Sequence, residues 1–271
     1  MAAINQITIA GGSTYDVNDK RITTSAVETA THFLATDSSI SSIAPITAKN
    51  LASVLGATRE SQELIVDLGL PSGRKWATHN IDVTMQNGFT KSIYQYECSF
   101  FSWGNTFGVN PISSTAFSYN WGTENNGPYA STPGASLTGN AGLGYDAAFT
   151  NFGNSWRLPT TEDFAELFNS SNTKYVDASG TEIADVTNKL TTINGIIGIC
   201  LMSKANGKTI FFPCSGNGYG PSWDSRGFLG YYWSSSLHSS TDGRSLYFGS
   251  GGVGPQNNSS RFYGFAVRPV Q

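Results

Sequence analysis

The tryptophans of this chain are confined to one part of it. All six lie after residue 75, and most of the phenylalanines and tyrosines do too. Aromatic side chains of this size dominate hydrophobic cores, so residues 61–271 are predicted to form one compact domain. Residues 1–60 hold no tryptophan and form a segment too small to bury a hydrophobic core of its own.

This N-terminal segment carries one clear helix pattern. Thr47 can cap the helix, Leu51 and Leu55 lie on its apolar side, and Gly56 can end it. The stretch Thr23–Leu34 predicts either a short helix or a strand. Because so short a segment cannot cover its own apolar face, we expect it to drive assembly by packing against another copy of the chain or another protein.

Charged residues make up only 13% of the chain, against about 25% in an average soluble domain. The surface is therefore polar but weakly charged, which is typical of adhesive and extracellular proteins. The net charge is -3 and no basic stripe is visible, so nucleic acid is not an expected partner. No run approaches the roughly 18 apolar residues that span a bilayer, and membrane insertion is not expected.

The beginning of the chain lacks the pattern of a secretory signal peptide. The stretch MAAINQITIAGGSTYDVNDKR contains no basic segment followed by an apolar one. A composition typical of exported proteins without an export signal fits a virion component, because phage particles leave the cell by lysis. We therefore expect the protein in the virion, with the bacterial cell surface as the alternative location.

The patterns that would carry catalysis are missing or incomplete. The three cysteines, Cys98, Cys200 and Cys214, are sparse and are interpreted as small buried side chains. The glycine-rich stretch Gly249–Gly254 is followed by Pro255 rather than by a helix, so it does not form a dinucleotide site. The histidines are scattered. We expect no enzymatic activity, no metal and no organic cofactor.

Short strand patterns bounded by Gly, Pro, Asn or Ser recur in residues 61–271. They cover Leu64–Leu68, Arg74–Thr78, Thr209–Cys214, Tyr231–Ser235, Ser245–Phe248 and Phe262–Arg268. One helix begins after Thr160, whose side chain can accept a hydrogen bond from the backbone of Asp163, and a second helix is predicted over Val186–Ile193. The acidic side chains of the first helix, Glu162, Asp163 and Glu166, are interpreted as a solvated, dipole-stabilising face rather than an acid/base pair.

The predicted core consists of large apolar side chains: Trp76, Trp103, Trp156, Phe164, Trp233, Phe265 and Val267. Arg157 and Arg268 are expected to be structural and to pair with carboxylates or carbonyls. These elements predict an α+β fold with short antiparallel strands, few helices and long ordered loops.

Five segments resemble a known family in their order along the chain. They are VDLGLPSGRKWATHNIDV, SFFSWGN, GNSWRLPTTEDFAELF, GYYWSSS and FYGFAVRPV. They resemble C-type-lectin-like domains, of the formylglycine-generating-enzyme type, from gut-bacterial surface proteins and their phages, and in particular the variable proteins of diversity-generating retroelements. The resemblance covers roughly residues 63–271. The segment THFLATDSSISSIAPITAKNLASVLG is similar to N-terminal parts of phage tail structural proteins.

The resemblance implies a function. In such retroelements a reverse transcriptase misreads adenines in a template repeat, and the mutated copy replaces the 3′ end of the gene. Codons of the AAY type cannot become Lys, Glu or Met, and none of these residues follows Lys208. The family therefore implies a phage tail-fibre adhesin with a variable region at about residues 219–263, which binds a host cell-surface protein or glycan and assembles with other virion tail proteins.

Two other classes of protein share this fold. One is a bacterial surface adhesin or carbohydrate-binding module. The other is an enzyme of the formylglycine-generating type, which uses a closely spaced C-terminal cysteine pair. Here Cys214 is the only cysteine of the last seventy residues, which argues against the enzyme. The calcium-dependent sugar motifs of animal lectins are also missing.

The ligand-contact residues are predicted from three observations: their residue types are reachable from AAY codons, most lie between the last two resembling segments or just before the first of these, and several alternate with apolar residues. Leu246 and Phe248 alternate with Tyr247, whereas Val253 alternates with its flanking glycines out of phase, so a turn or bulge must lie between the two stretches. One set faces the core, and the other offers the Tyr, Ser and Gly of a binding face. The predicted contacts, expected to change stability by no more than about 0.5 kcal/mol on substitution, are Asp224, Phe228, Leu229, Tyr231, His238, Tyr247, Gly249, Gly252, Gly254, Ser259, Ser260 and Tyr263.

The predicted role of the N-terminal segment can be tested by light scattering. We expect the full chain to be a homo-oligomer, and specifically a trimer, because the segment cannot bury its own apolar face. A chain that begins near Glu63 is the matched comparison and should be monomeric. Monomers from both chains across micromolar concentrations would contradict the prediction.

Overall fold

The computed structural model describes residues 64–122, 136–137, 143–152, 155–185 and 187–271, together with four short strands nearer the N-terminus. The chain forms two compact units, Met1–Gln62 and Glu63–Gln271. In the first unit, antiparallel pairing in the order β2-β1-β3-β4 joins the strands β1 (Gln6–Ile9), β2 (Ser13–Asp16), β3 (Phe33–Leu34) and β4 (Pro45–Ile46). β3 belongs to the stretch for which a helix or a strand is predicted, and the helix predicted after Thr47 lies outside the described residues.

The larger unit is mostly β-structure. Its strands are β5 (Ile65–Asp67), β6 (Lys75–Ala77), β7 (Phe100–Phe101), β8 (Thr173–Tyr175), β9 (Thr191–Ile193), β10 (Ile196–Ser203), β11 (Thr209–Pro213), β12 (Asn217–Tyr219), β13 (Ser222–Asp224), β14 (Gly230–Leu237), β15 (Asp242–Gly249), β16 (Gly252–Ser260) and β17 (Phe265–Ala266). Its described part contains two α-helices, α1 (Ala147–Phe152) and α2 (Thr161–Leu167). This confirms the predicted α+β class.

A five-stranded sheet in the order β16-β15-β14-β17-β7 forms the centre of this unit. β15 is antiparallel to both β14 and β16, β17 runs parallel to β14, and β7 is antiparallel to β17. A second sheet joins β11, β10 and β8, with β9 also pairing to β10, and β12 and β13 form a separate hairpin. Strands occur at five of the six predicted patterns: β5, β6 and β11 lie within theirs, whereas β14 and β15 extend beyond theirs at both ends. The sixth pattern, Phe262–Arg268, is a strand only at β17.

Every predicted core residue is buried. The seven are Trp76, Trp103, Trp156, Phe164, Trp233, Phe265 and Val267. The ring of Trp76 lies 5.4 Å from that of Phe164 and 6.0 Å from that of Phe212, so helix α2 and the second sheet share one aromatic core. In the described part of the long loop between β7 and α1, Phe117 and Trp121 are buried and meet edge to face.

The start of α2 has the predicted cap. The Thr160 hydroxyl accepts from the backbone N–H of Asp163 at 3.2 Å, and the Asp163 carboxylate accepts from the N–H of Thr160 at 2.8 Å. Asp163 also pairs with Arg157 at 2.6 Å and Arg74 at 3.3 Å. This acidic side chain is therefore buried in a structural ion-pair network and does not belong to a solvated face.

Arg268 is a buried cation that joins the end of the chain to β6. Its Nε donates to Asn80 at 2.8 Å, and its Nη1 donates to the Thr78 carbonyl at 2.9 Å. The guanidinium lies 4.6 Å from the centre of the Phe212 ring, and burial lowers its pKa to about 10. These contacts confirm the structural role predicted for this residue.

The helix predicted over Val186–Ile193 is wrong. Thr191–Ile193 is strand β9, which pairs with β10 and begins that hairpin, while Val186 lies outside the described residues. Asn194 and Gly195 both have positive φ, 51° and 80°, and an Asn-Gly pair of this kind favours a two-residue hairpin turn. The Asn-Gly turn therefore makes this segment the first strand of a hairpin rather than a helix.

Replacement of Trp233 by alanine should destabilise the larger unit strongly. This side chain is 1% exposed, stacks on Phe265 at 4.2 Å, and donates its indole N–H to the Phe101 carbonyl at 2.6 Å. We expect a loss of about 3–5 kcal/mol in the free energy of unfolding, through the cavity and the lost hydrogen bond. Urea denaturation measures it, and a loss below about 1 kcal/mol would contradict the packing described.

Candidate ligand-binding face

Alternation along β15 separates its side chains as predicted. Leu246 and Phe248 are fully buried, whereas Tyr247 is half-buried on the opposite side of the sheet. Gly249 pairs with Gly252, so the two residues between them form the turn predicted to separate the out-of-phase stretches. The register of β15 against β16 also shifts between Ser245 and Tyr247. The turn lies where the change of phase requires it, whereas the register shift lies outside the interval between the two stretches.

A row of aromatic rings crosses the side of the sheet that faces away from Leu246. Tyr231 lies 5.2 Å from Tyr247 and 4.8 Å from Phe265, measured between ring centres. The row continues from Phe265 to Tyr263 at 5.6 Å, and from Tyr263 to Tyr219 at 5.5 Å. Ring pairs at these separations stabilise one another, so the sheet and its neighbours hold the row in place.

Two glycines allow Tyr219 to lie beside Tyr263. Gly218 and Gly264 exchange backbone hydrogen bonds of 2.7 Å and 3.0 Å, which join β12 to the chain before β17. A Cβ atom would lie 2.2 Å from the ring of Trp121 at Gly218 and 2.6 Å from it at Gly264. Any side chain at these positions would displace the tryptophan, so the close approach requires glycine.

A cleft of about 600 Å³ opens beside this row. Its described lining is polar and aromatic, with two carboxylates and no lysine, arginine or histidine. The lining residues are Asn217, Tyr219, Asp224, Ser225, Tyr231, Asp242, Asn257, Asn258, Ser259, Ser260, Tyr263 and Phe265. We call this surface the cleft face.

The cleft face brings together five of the twelve predicted contact residues. They are Asp224, Tyr231, Ser259, Ser260 and Tyr263. Tyr247 does not line the cleft, but its ring packs against that of Tyr231. The residues predicted from the sequence therefore include aromatic and serine residues of this surface.

Gly249 is wrong as a contact residue. The residue is buried, and a Cβ atom at this position would lie 2.5 Å from Cδ2 of Leu229. Alternation alone places Gly249 on the same side as Tyr247. However, the chain between Ser225 and Leu229 folds back across it and is held by backbone hydrogen bonds from Phe228 and Leu229 to the Ser225 carbonyl.

The other predicted contacts lie outside the cleft lining. Phe228 is 73% exposed, and Leu229 beside it is half-buried. His238 is exposed, with Nδ1 4.0 Å from the Asp242 carboxylate. Gly252 has φ of 134°, a conformation that favours glycine, so its role is in the backbone of the turn. Gly254 is half-buried, and a Cβ there would lie 3.7 Å from that of Asn257.

Sequence reasoning missed seven lining residues. They are Asn217, Tyr219, Ser225, Asp242, Asn257, Asn258 and Phe265. A signal existed for Asn257 and Asn258, because AAY codons encode asparagine and both residues lie in the expected variable region. Phe265 was predicted as core and is buried, yet its ring also forms part of the cleft floor.

Tyr231 and Tyr263 are neutral hydrogen-bonding groups at neutral pH. Burial raises the pKa of Tyr231 to about 12, with a smaller effect from Tyr247 and Tyr263. The pKa of Tyr263 is also raised, first by burial and then by Tyr219 and the Asp224 carboxylate. The cleft therefore offers hydroxyl donors, amides and carboxylates around an aromatic floor.

Comparison with protein-family models, curated proteins and solved structures finds no match to this chain. Among the described residues there is no group of three or more His, Cys, Asp or Glu side chains that could hold a metal ion. No helix in the part of the chain that the structure describes is long and apolar enough to cross a membrane. The interpretation of the site therefore depends on its own geometry.

Serine substitutions should distinguish residues of the cleft floor from exposed residues around it by the change that they cause in the free energy of unfolding. Tyr231→Ser should lower the free energy of unfolding by about 1–2 kcal/mol, because this ring is half-buried and stacked on Phe265. Phe228→Ser should change it by less than about 0.5 kcal/mol, because Phe228 is exposed. We therefore keep the expectation of a neutral effect for Phe228 and expect a larger loss for Tyr231. Urea denaturation measures both values, and equal losses of unfolding free energy in the two variants would contradict this difference between floor and exposed residues.

Proposed function

We propose that this protein is a non-enzymatic receptor-binding adhesin of a phage tail, with a C-type-lectin-like fold in its larger unit. The single observation that carries the proposal is the grouping of polar and aromatic side chains on one side of a sheet whose other side buries Tyr232, Leu246 and Phe248 in the core. The cleft face would contact a molecule on the host cell, and the N-terminal segment would assemble the protein with other tail components.

The chemistry of the cleft face supports recognition of a large ligand. Tyrosine rings supply contact area with little loss of rotamer entropy, while Ser and Asn supply adaptable hydrogen bonds. The volume of about 600 Å³ is within the range of ligand sites. Because ring stacking and strand pairing already order the aromatic row, little additional order has to be imposed when a ligand binds.

The arrangement also supports diversification of the face by a retroelement. Tyr231 lines the cleft, while its neighbour Tyr232 is buried on the other side of the sheet. Substitution of cleft residues therefore leaves the buried side of the sheet unchanged. A variable region at residues 219–263 would contain most of the cleft lining while the core strands around it keep the fold.

The state of the cysteines supports a protein without thiol chemistry. Cys98, Cys200 and Cys214 are all buried. Burial raises the pKa of Cys200 to about 11 and that of Cys214 to about 12, so their reactive thiolate forms are scarce at neutral pH. These features disfavour an enzyme of the formylglycine-generating type.

A second candidate function is a bacterial surface adhesin or carbohydrate-binding module of the same fold. It is favoured by the three asparagines of the cleft lining, Asn217, Asn257 and Asn258, beside aromatic rings. Amide groups can hydrogen-bond sugar hydroxyls, and ring faces offer apolar contact. This candidate uses the same cleft and differs in the location of the protein and in its ligand.

Binding to intact cells tests the proposal. We expect fluorescently labelled full-length protein to bind some members of a broad panel of gut-bacterial strains, and Tyr263→Ser to weaken that binding at least about tenfold through the loss of a central contact. The matched control is Phe107→Ser, which removes an exposed ring outside the cleft lining, 66% exposed.

Melting temperatures of both variants establish that they are folded. The proposal is contradicted if no strain is bound, or if Tyr263→Ser binds cells as well as Phe107→Ser does. Binding that is lost equally in both variants would place the contact surface elsewhere.

A further inference from the structure

We infer that the cleft binds a cationic side chain, a lysine or arginine of a protein on the host cell, between the Asp224 carboxylate and the ring of Tyr263. The inference rests on the proposed function and specifies its ligand. It follows from the charges that line the cleft, from the position of Asp224 and from the aromatic rings beside it.

The charge of the cleft is negative. Asp224 and Asp242 are its two carboxylates, and no described lysine, arginine or histidine lines it. An anionic ligand would meet uncompensated repulsion there, because nothing in the described lining could neutralise it. A cation would gain attraction from both carboxylates.

The two carboxylates differ in their surroundings. Asp242 lies 4.0 Å from His238. It also acts on Arg261, whose guanidinium packs over Trp103: burial lowers the pKa of Arg261, and the Asp242 charge opposes this shift. Asp224 is exposed and has no ion-pair partner among the described residues. The carboxylate of Asp224 is therefore the one available to a charge that the ligand supplies.

Asp224 is held in position by the β12–β13 hairpin. Its backbone pairs with Asn217, and Tyr219 pairs with Ser222 at the turn end of the same hairpin. Tyr219 stacks on Tyr263 at 5.5 Å, and the Asp224 charge acts on the Tyr263 hydroxyl. One short hairpin thus places a carboxylate beside a pair of aromatic rings.

This combination of groups suits an ammonium or guanidinium ion. A cation is attracted to the negative face of an aromatic ring, and the attraction strengthens when the site is partly desolvated. A carboxylate next to the ring adds a charge-assisted hydrogen bond. A neutral sugar could donate hydroxyl hydrogen bonds to Asp224 and to the amides of Asn257 and Asn258, but it would leave the charge of Asp224 uncompensated.

The probe for this inference is Nα-acetyl-lysine amide, with Nα-acetyl-norleucine amide, which keeps the four-carbon chain but lacks the ammonium group, as its neutral counterpart. NMR spectra of the full-length protein labelled with ¹⁵N at tyrosine report on Tyr219, Tyr231 and Tyr263. We expect the lysine probe to shift these signals in a saturable manner, and the norleucine probe to leave them unchanged at the same concentrations.

Two variants that remove one carboxylate charge each complete the experiment. Asp224→Asn should weaken binding of the lysine probe about tenfold, whereas Glu182→Gln, on an exposed carboxylate outside the cleft, should leave it unchanged. Both variants should give the same melting temperature as the parent protein. Equal shifts with the norleucine probe, or unchanged affinity in Asp224→Asn, would overturn the inference.

Methyl glycosides of glucose, galactose and mannose form the third arm. Saturable shifts with a glycoside, and none with lysine, would show a sugar site and overturn the inference. In that case the loss of cell binding in Tyr263→Ser would still support the proposed function. If Tyr263→Ser bound cells normally, the proposed function would fail as well.

Discussion

The antiparallel pairing of β14 with β15 is the constraint on which the candidate site depends. In this register Tyr232 lies opposite Leu246, and Tyr231 lies opposite Tyr247. Because side chains alternate across a sheet, the first pair is buried in the core and the second pair lies on the side of the cleft. A slip of one residue would exchange the two sides, so the same hydrogen bonds that form the scaffold also select the side chains available to a ligand.

The buried side of the sheet keeps this register in place. Tyr232 is fully buried, stacks on Phe248 at 6.0 Å, and donates its hydroxyl to the Pro213 carbonyl at 2.8 Å, which joins the central sheet to the second one. Arg268 holds the end of the chain through Asn80 and the ring of Phe212. Neither Tyr232 nor Arg268 lines the cleft, so these supporting contacts do not depend on cleft residues. A binding surface whose composition varies needs support of this kind.

The sequence predicted the features that depend on local chemistry. The size of the tryptophans requires burial, the Thr160 cap determines where α2 begins, and the alternation around Leu246 distinguishes the two sides of β15. It did not predict contacts that depend on distant segments. The burial of Gly249 results from a loop that folds back over it, and the lining by Asn217 and Asp242 results from the placement of the β12–β13 hairpin beside the sheet. The β9–β10 hairpin was not predicted, although the Asn-Gly pair that forms its turn is present in the sequence.

The central claim is that the cleft side of the sheet is a recognition surface whose residues are replaced by a retroelement while the core is kept. The most direct measurement is the DNA sequence around the gene. The account predicts a near-identical repeat, next to a reverse-transcriptase gene, that differs from the 3′ end of the coding sequence at adenines. The differing codons should be those of cleft residues such as Tyr231, Asn257 and Tyr263, and not those of Tyr232, Leu246 or Phe248. Absence of such a repeat, or differences that fall on the buried side of the sheet, would contradict the account.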